Sequence, residues 1–179
     1  MPCVAPLVAS AVVWGNILGT KRGLINLYLD TSIGWLSDPK FVMISLVLFT
    51  LWADIGYNII LFSAGIDGIP GEFYEAAALD GASGWKQFTK ITIPLLSRTF
   101  MFVSIMTVIS YFQMFAQFQV MLQKGGPQQS GNVLTYYIYK VGFEQKDMGY
   151  ASAIAMVLFF IIFVISLIQN RLNKSEWEY

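Results

Sequence analysis

The sequence predicts an all-α fold, a polytopic membrane helical bundle, and three observations carry that prediction. Apolar residues make up 56% of the 179 residues and charged residues only 12%, about half the charged share of an ordinary soluble domain. The charges are also segregated: none occurs in 1–20, 99–123 or 148–170, and Asp54 alone interrupts 41–66. Within these stretches the period-two alternation of a barrel strand is weak. In hydrocarbon each backbone N–H and C=O must then be paired inside its own segment, as a helix does.

A helix rises about 1.5 Å per residue, so about 20 apolar residues cross a hydrocarbon core of about 30 Å. Four spans are expected on that basis, at 2–18, 41–64, 95–122 and 148–168. The first is barely long enough, and it lacks the basic n-region of a signal peptide. The third is long enough to tilt or to emerge from the bilayer. Trp14, Trp35, Trp52, Trp85 and Trp177 mostly lie near the expected interfaces, where amphipathic rings settle. Polar connections fall at 19–40, 65–94 and 123–147, the last around the turn signal Gly125-Gly126-Pro127. Lys and Arg divide five to six between the two sides, so positive charge does not set the orientation.

Composition excludes several chemistries. With no histidine there is no His-dependent triad, His zinc site or imidazole proton shuttle. Cys3 is the single cysteine, so neither an internal disulfide nor a thiolate metal cluster is available. Net charge is zero without a basic block, which argues against nucleic acid as a partner. No Gly-x-x-x-x-Gly-Lys-Ser/Thr loop occurs, so the chain does not itself hold ATP in the usual way. No catalytic residues, metal ligands or cofactor are expected, and any energy must come from elsewhere.

The segment 69–94 carries the functional signal. Pro70 suits the first turn of a helix, and Glu72 and Glu75 then sit where the helix dipole favours carboxylates. Ala76, Ala77 and Ala78 are strong helix formers with little bulk. Gly81 stops the helix, Ser83 is placed to cap a second one through Trp85–Lys90, and Pro94 marks the turn into the third span. A short helix, a glycine elbow and another short helix thus lie between two spans. Their small-residue face suits helix-in-groove recognition. An ordinary interfacial connector would need the caps but not the fixed spacing through Pro94.

That spacing, Glu75-Ala76-Ala77, Gly81, Ile91 and Ile93-Pro94, resembles the EAA signature of binding-protein-dependent ABC importer permeases, with Ile93 where the family usually has Leu. Further runs resemble the carbohydrate-uptake branch of maltose and glycerol-phosphate type. These are Gly23-Leu24-Ile25-Asn26, Trp35-Leu36-Ser37-Asp38-Pro39, Gly125-Gly126-Pro127, Tyr137-Ile138-Tyr139 and Gly149-Tyr150-Ala151-Ser152-Ala153. The resemblance implies one permease domain over 1–179, with four of about six core spans in an N-terminally truncated chain. It implies a cytosolic coupling helix in which Glu75, Ala76, Ala77, Asp80, Gly81, Ile91 and Pro94 meet the ATPase. It implies as partners a second permease subunit, a cytosolic ATPase dimer that binds the ATP, an extracytoplasmic solute-binding protein and the lipid bilayer. The solute implied is a sugar. The location implied is a bacterial or archaeal cytoplasmic membrane, with 65–94 and the C-terminus inside and 19–40 and 123–147 outside.

Asp54 is the only charge in the interior of a span, Arg98 lying at the edge of the third. A mid-bilayer carboxylate costs about 2.5–3.5 kcal/mol on insertion scales, so it faces a cavity or a partner. Counted back from Ile69-Pro70, it falls near the level where the resembling permeases contact substrate. Tyr57 follows on the same helical face. A carboxylate and a ring suit a sugar, accepting from hydroxyls and covering the C–H face; the alternatives are a neutral Asp54 or one paired with a partner subunit. Ser110, Tyr111 and Gln113 lie mid-way along the third span, where the family lines its pathway, and interhelical hydrogen bonding is the alternative for each. Two other functions fit the same residues: a secondary transporter or channel using Asp54 as a proton or ion site, and an inactive permease remnant.

Overall fold

The computed structural model describes residues 2–122 and 125–172. Among them every regular element is helical: α1 (Leu7–Ile17), α2 (Leu24–Leu29), α3 (Pro39–Asp67), α4 (Glu72–Leu79), α5 (Gly84–Gln87), α6 (Ile93–Leu95), α7 (Ser97–Phe112), α8 (Ala116–Met121), α9 (Leu134–Tyr139) and α10 (Met148–Leu172). Short 3-10 turns occur at Pro2–Val4 and Pro127–Gln129, and π turns at Phe88–Thr92 and Lys140–Glu144. The tail expected on the inner side lies outside the described residues.

α3 and α10 are long and apolar enough to cross a membrane. At 1.5 Å per residue they measure about 43 and 37 Å. Both begin at an acidic cap. Asp38 accepts the Lys40 N–H at 3.0 Å, and Pro39 occupies the first helical position, where its missing N–H is not needed. Asp147 accepts the Tyr150 N–H at 3.0 Å at the start of α10.

Two expected spans differ from simple rods. In 2–18 the α-helix is confined to Leu7–Ile17, because Pro6 holds an extended ψ of 126° at its N-cap and blocks continuation upstream. The stretch 95–122 is divided. Its entry is bent by 59° between Gly84–Leu95 and Ser97–Phe112, where Pro94 follows a π turn. Its far end breaks at 113–115. There α7 tightens, with Gln113 N–H bonding Ser110 O at 3.2 Å, and Phe115 leaves helical geometry at φ −140°. The carbonyl of Met114, freed by the break, accepts from the Thr135 hydroxyl. An interrupted apolar helix is tolerated when its released backbone groups are satisfied again in this way.

The chain forms two compact units, Met1–Gly56 with Ser110–Ile161 and Tyr57–Ile109 with Ile162–Tyr179. The first holds the main core. Val42, Leu46 and Phe49, spaced by four and three along one face of α3, pack with Ala11 and Leu18 of the α1 end and with Phe118, Met121 and Leu122 at α8. The small buried residues Ser10 and Ala11 let α8 lie along α1. Trp14 meets Phe49 edge-on at 5.9 Å. Buried Ser45 donates to Trp35 O at 2.9 Å.

The 19–37 connection in this unit is organised by one buried side chain. The Asn26 amide donates to Thr20 O (3.0 Å) and Ile33 O (2.8 Å). Its carbonyl oxygen accepts from Trp35 Nε1 (2.9 Å) and the Thr31 hydroxyl (3.2 Å). All four hydrogen-bonding positions of the amide are thereby used.

In the second unit α3 and α7 approach closely at Gly65, where a Cβ would stand 2.6 Å from Thr99 Oγ1 and 2.9 Å from its Cγ2. Phe62 and Phe100 lie beside this contact at 6.4 Å between ring centroids.

Candidate functional site

Two groups of predicted residues are placed by the fold, one in each unit. The first is the elbow of the second unit. α4 starts after Gly71 with Glu72 and Glu75 in its first turn, as the dipole argument expects. Its end is a full Schellman motif. Ala82 N–H bonds Ala77 O at 2.9 Å, Gly81 N–H bonds Ala78 O at 3.0 Å, and Gly81 sits between them at φ +72°. The glycine of the signature is thus the left-handed residue that closes α4. No heavy atom lies within 4 Å of where its Cβ would be, so conformation and not space demands glycine there.

The signature residues are presented outward. Glu75, Ala76, Asp80 and Gly81 are exposed, and α4 has no buried residue. Leu79 is 90% exposed and Trp85 75%. Two bulky apolar side chains thus flank the acidic–alanine surface, left uncovered by the described residues. Ile91 and Pro94 are half-buried inside the bent entry to α7. The second short helix differs from the expected Trp85–Lys90. α5 covers Gly84–Gln87 and passes into the π turn. Ser83 adopts the extended cap backbone but makes no side-chain cap bond; the Gln87 amide reaches back to Ala82 O instead, at 3.2 Å.

Two residues of this segment were missed by sequence reasoning. The Tyr74 hydroxyl lies 2.9 Å from Thr92 Oγ1, and Thr92 is buried. The available signal was polarity: each is a hydroxyl residue embedded in the signature, next to Glu75 and between Ile91 and Ile93.

The second group is in the first unit. The Tyr111 side chain lies near the half-buried Asp54 carboxylate and interacts with it electrostatically. The structure therefore brings together one carboxylate of α3 and one phenol of α7, one turn before the break at 113–115. Ser110 and Gln113 flank Tyr111 in sequence and are exposed; Tyr57, 54% exposed, belongs to the second unit and is not part of this group. Gln117, beyond the break, is buried. Chemically the pair offers a charged acceptor, a donor that changes partner by rotating, and an aromatic face.

The sequence matches the family described as binding-protein-dependent transport system inner membrane component over residues 1–177. It is 35% identical over 179 residues to the arabinooligosaccharides transport system permease protein AraP of Bacillus subtilis (strain 168), covering 95% of this chain and 57% of that protein. It is 34% identical over 181 residues to the sn-glycerol-3-phosphate transport system permease protein UgpA of Shigella flexneri, covering 98% and 60%. The chain therefore spans about three-fifths of the length of these relatives. Among solved structures, a chain of a bacterial ABC transporter involved in the import of the acidic polysaccharide alginate superposes with a TM-score of 0.82 at 21% identity, over 99% of this chain and 63% of that one. A chain of the bacterial alginate ABC transporter in complex with its alginate pentasaccharide-bound periplasmic protein gives 0.79 at 22%, over 97% and 62%. At these identities the likeness speaks for the fold.

Proposed function

The chain belongs to the family of binding-protein-dependent transport system inner membrane components, and on that premise we propose that it is a permease subunit of an ABC importer for a carbohydrate. The observation that carries the reading is the outward-facing acidic–alanine helix closed by a left-handed glycine, with Leu79 and Trp85 uncovered beside it. This is a preformed surface for a helix-binding cleft on another protein.

In this reading Glu75, Ala76, Ala77, Asp80 and Gly81 dock on a cytosolic ATPase, and Ile91 and Pro94 set the path into α7. ATP is bound and hydrolysed by a pair of such subunits. Their closure favours one permease state over the other through docking contacts that differ between states, without which no equilibrium would shift. A second permease completes the pathway. A solute-binding protein delivers substrate at 19–40 and 123–147, which face outward, while 65–94 and the tail face the cytosol. The arabinooligosaccharides named for AraP support a sugar as solute.

Asp54 and Tyr111 are the proposed sugar contact, with Ser110 and Gln113 along the same pathway. A sugar hydroxyl that donates to Asp54 takes the place of the nearby Tyr111 phenol, so the carboxylate is not left unsatisfied on entry or exit. Reversible exchange of this kind keeps binding weak enough for release.

Reconstitution tests the proposal. The full-length permease pair, its ATPases and its binding protein are placed in vesicles and supplied with ATP and labelled oligosaccharide. Uptake that needs all three components is expected; uptake by the permease alone, driven by a proton gradient, would reject the reading.

A further inference from the structure

α4 is tied to the rest of its unit by backbone at both ends, and both ties contain glycine: Gly68 and Gly71 before it, Gly81 and Gly84 after it. Such connections bend readily. The Tyr74–Thr92 hydrogen bond bypasses both. It joins the first turn of α4 to a residue eighteen positions on, at 2.9 Å. Thr92 is 6% exposed and lies in the π turn, two residues before Pro94 and next to the 59° bend into α7. A tyrosine side chain has only two side-chain torsions and a rigid ring, so it holds the spacing between two backbones well. A π turn inside helical structure is rare and frequently marks a functional site.

We propose that Tyr74 and Thr92 are positioning residues that act as a strut between the coupling helix and the base of α7. A displacement of α4 then rotates the π turn and the start of α7, and is not absorbed in the glycine elbow. The inference rests on the reading above that α4 receives force from an ATPase.

The test uses the assembled importer. Tyr74→Phe and Thr92→Val each remove one hydroxyl and leave the shape; Thr92→Ser keeps it. With the strut removed, ATPase co-purification stays at the wild-type level while uptake falls about fivefold, the order by which one hydrogen bond shifts a two-state equilibrium. ATP hydrolysis loses its stimulation by the loaded binding protein, the double variant is no worse than either single one, and Thr92→Ser transports as wild type. The strut is overturned if both single variants transport normally, if Ser is as poor as Val, or if lost uptake tracks lost ATPase association. If the unmodified α4 does not crosslink to an ATPase, the coupling reading fails and the strut with it; if it does crosslink and the variants transport normally, the strut alone fails.

Discussion

Replacing Gly81 separates a conformational requirement from a steric one. Its φ is +72°, and its Cβ position is open to 4 Å within this chain. A left-handed residue with a Cβ costs about 1–2 kcal/mol, less for Asn and more for a β-branched side chain. The whole penalty falls on the Schellman turn, because no neighbour has to move. A penalty of about 1.4 kcal/mol lowers the population of the native elbow relative to alternatives about tenfold. Transport by the assembled importer should therefore rank Gly81, Gly81→Asn, Gly81→Ala, Gly81→Val, with the Val variant reduced tenfold or more. Membrane insertion, followed by the amount of chain in the membrane fraction, should not change. If Gly81→Ala proves milder than Gly81→Asn, volume and not backbone angle governs the site, and the elbow argument is refuted.

Other substitutions test the remaining parts. Thr135→Val leaves the Met114 carbonyl without its donor at the helix break and should lower stability by about 1–3 kcal/mol, read as the midpoint of thermal unfolding in detergent; Thr135→Ser should be close to neutral. Asn26→Leu removes four hydrogen bonds from the 19–37 connection; stimulation by the binding protein should fall while ATPase co-purification stays. Asp54→Asn removes the charged acceptor, a change of about 1.5–3 kcal/mol per hydrogen bond. Half-saturating sugar should rise at least tenfold in the reconstituted importer, with ATP still the driving force. Retained affinity would remove Asp54 from the sugar site, and a switch to proton-gradient dependence would favour a secondary carrier.

What was legible in the sequence is what local chemistry determines. α3 and α10 follow from long apolar runs, and their starts coincide with Asp38-Pro39 and Asp147. The elbow was readable because a left-handed C′ position selects glycine whatever surrounds it. Pro6, in plain view, already limits α1. The break at 113–115 was not readable, because the group that satisfies its carbonyl is Thr135, twenty-one residues later. The same holds for Asp54. Helical spacing proposes Tyr57 as its companion, yet the phenol that lies near it comes from α7, and only tertiary packing selects Tyr111. The Tyr74–Thr92 bond was likewise hidden, since eighteen residues of turn and π geometry separate its two ends.

Whether α4 meets a cytosolic motor decides the coupling role proposed for it. Cys3 is the lone cysteine of residues 1–179, so in a permease cleared of native cysteines, Cys3→Ser included, Leu79→Cys places one thiol on the most exposed apolar residue of α4. In intact cells that thiol should resist membrane-impermeant maleimide and, after permeabilisation, crosslink to the ATPase with a yield that changes on ATP binding. Labelling from outside the intact cell, or no crosslink in an importer that is actively transporting, would contradict it.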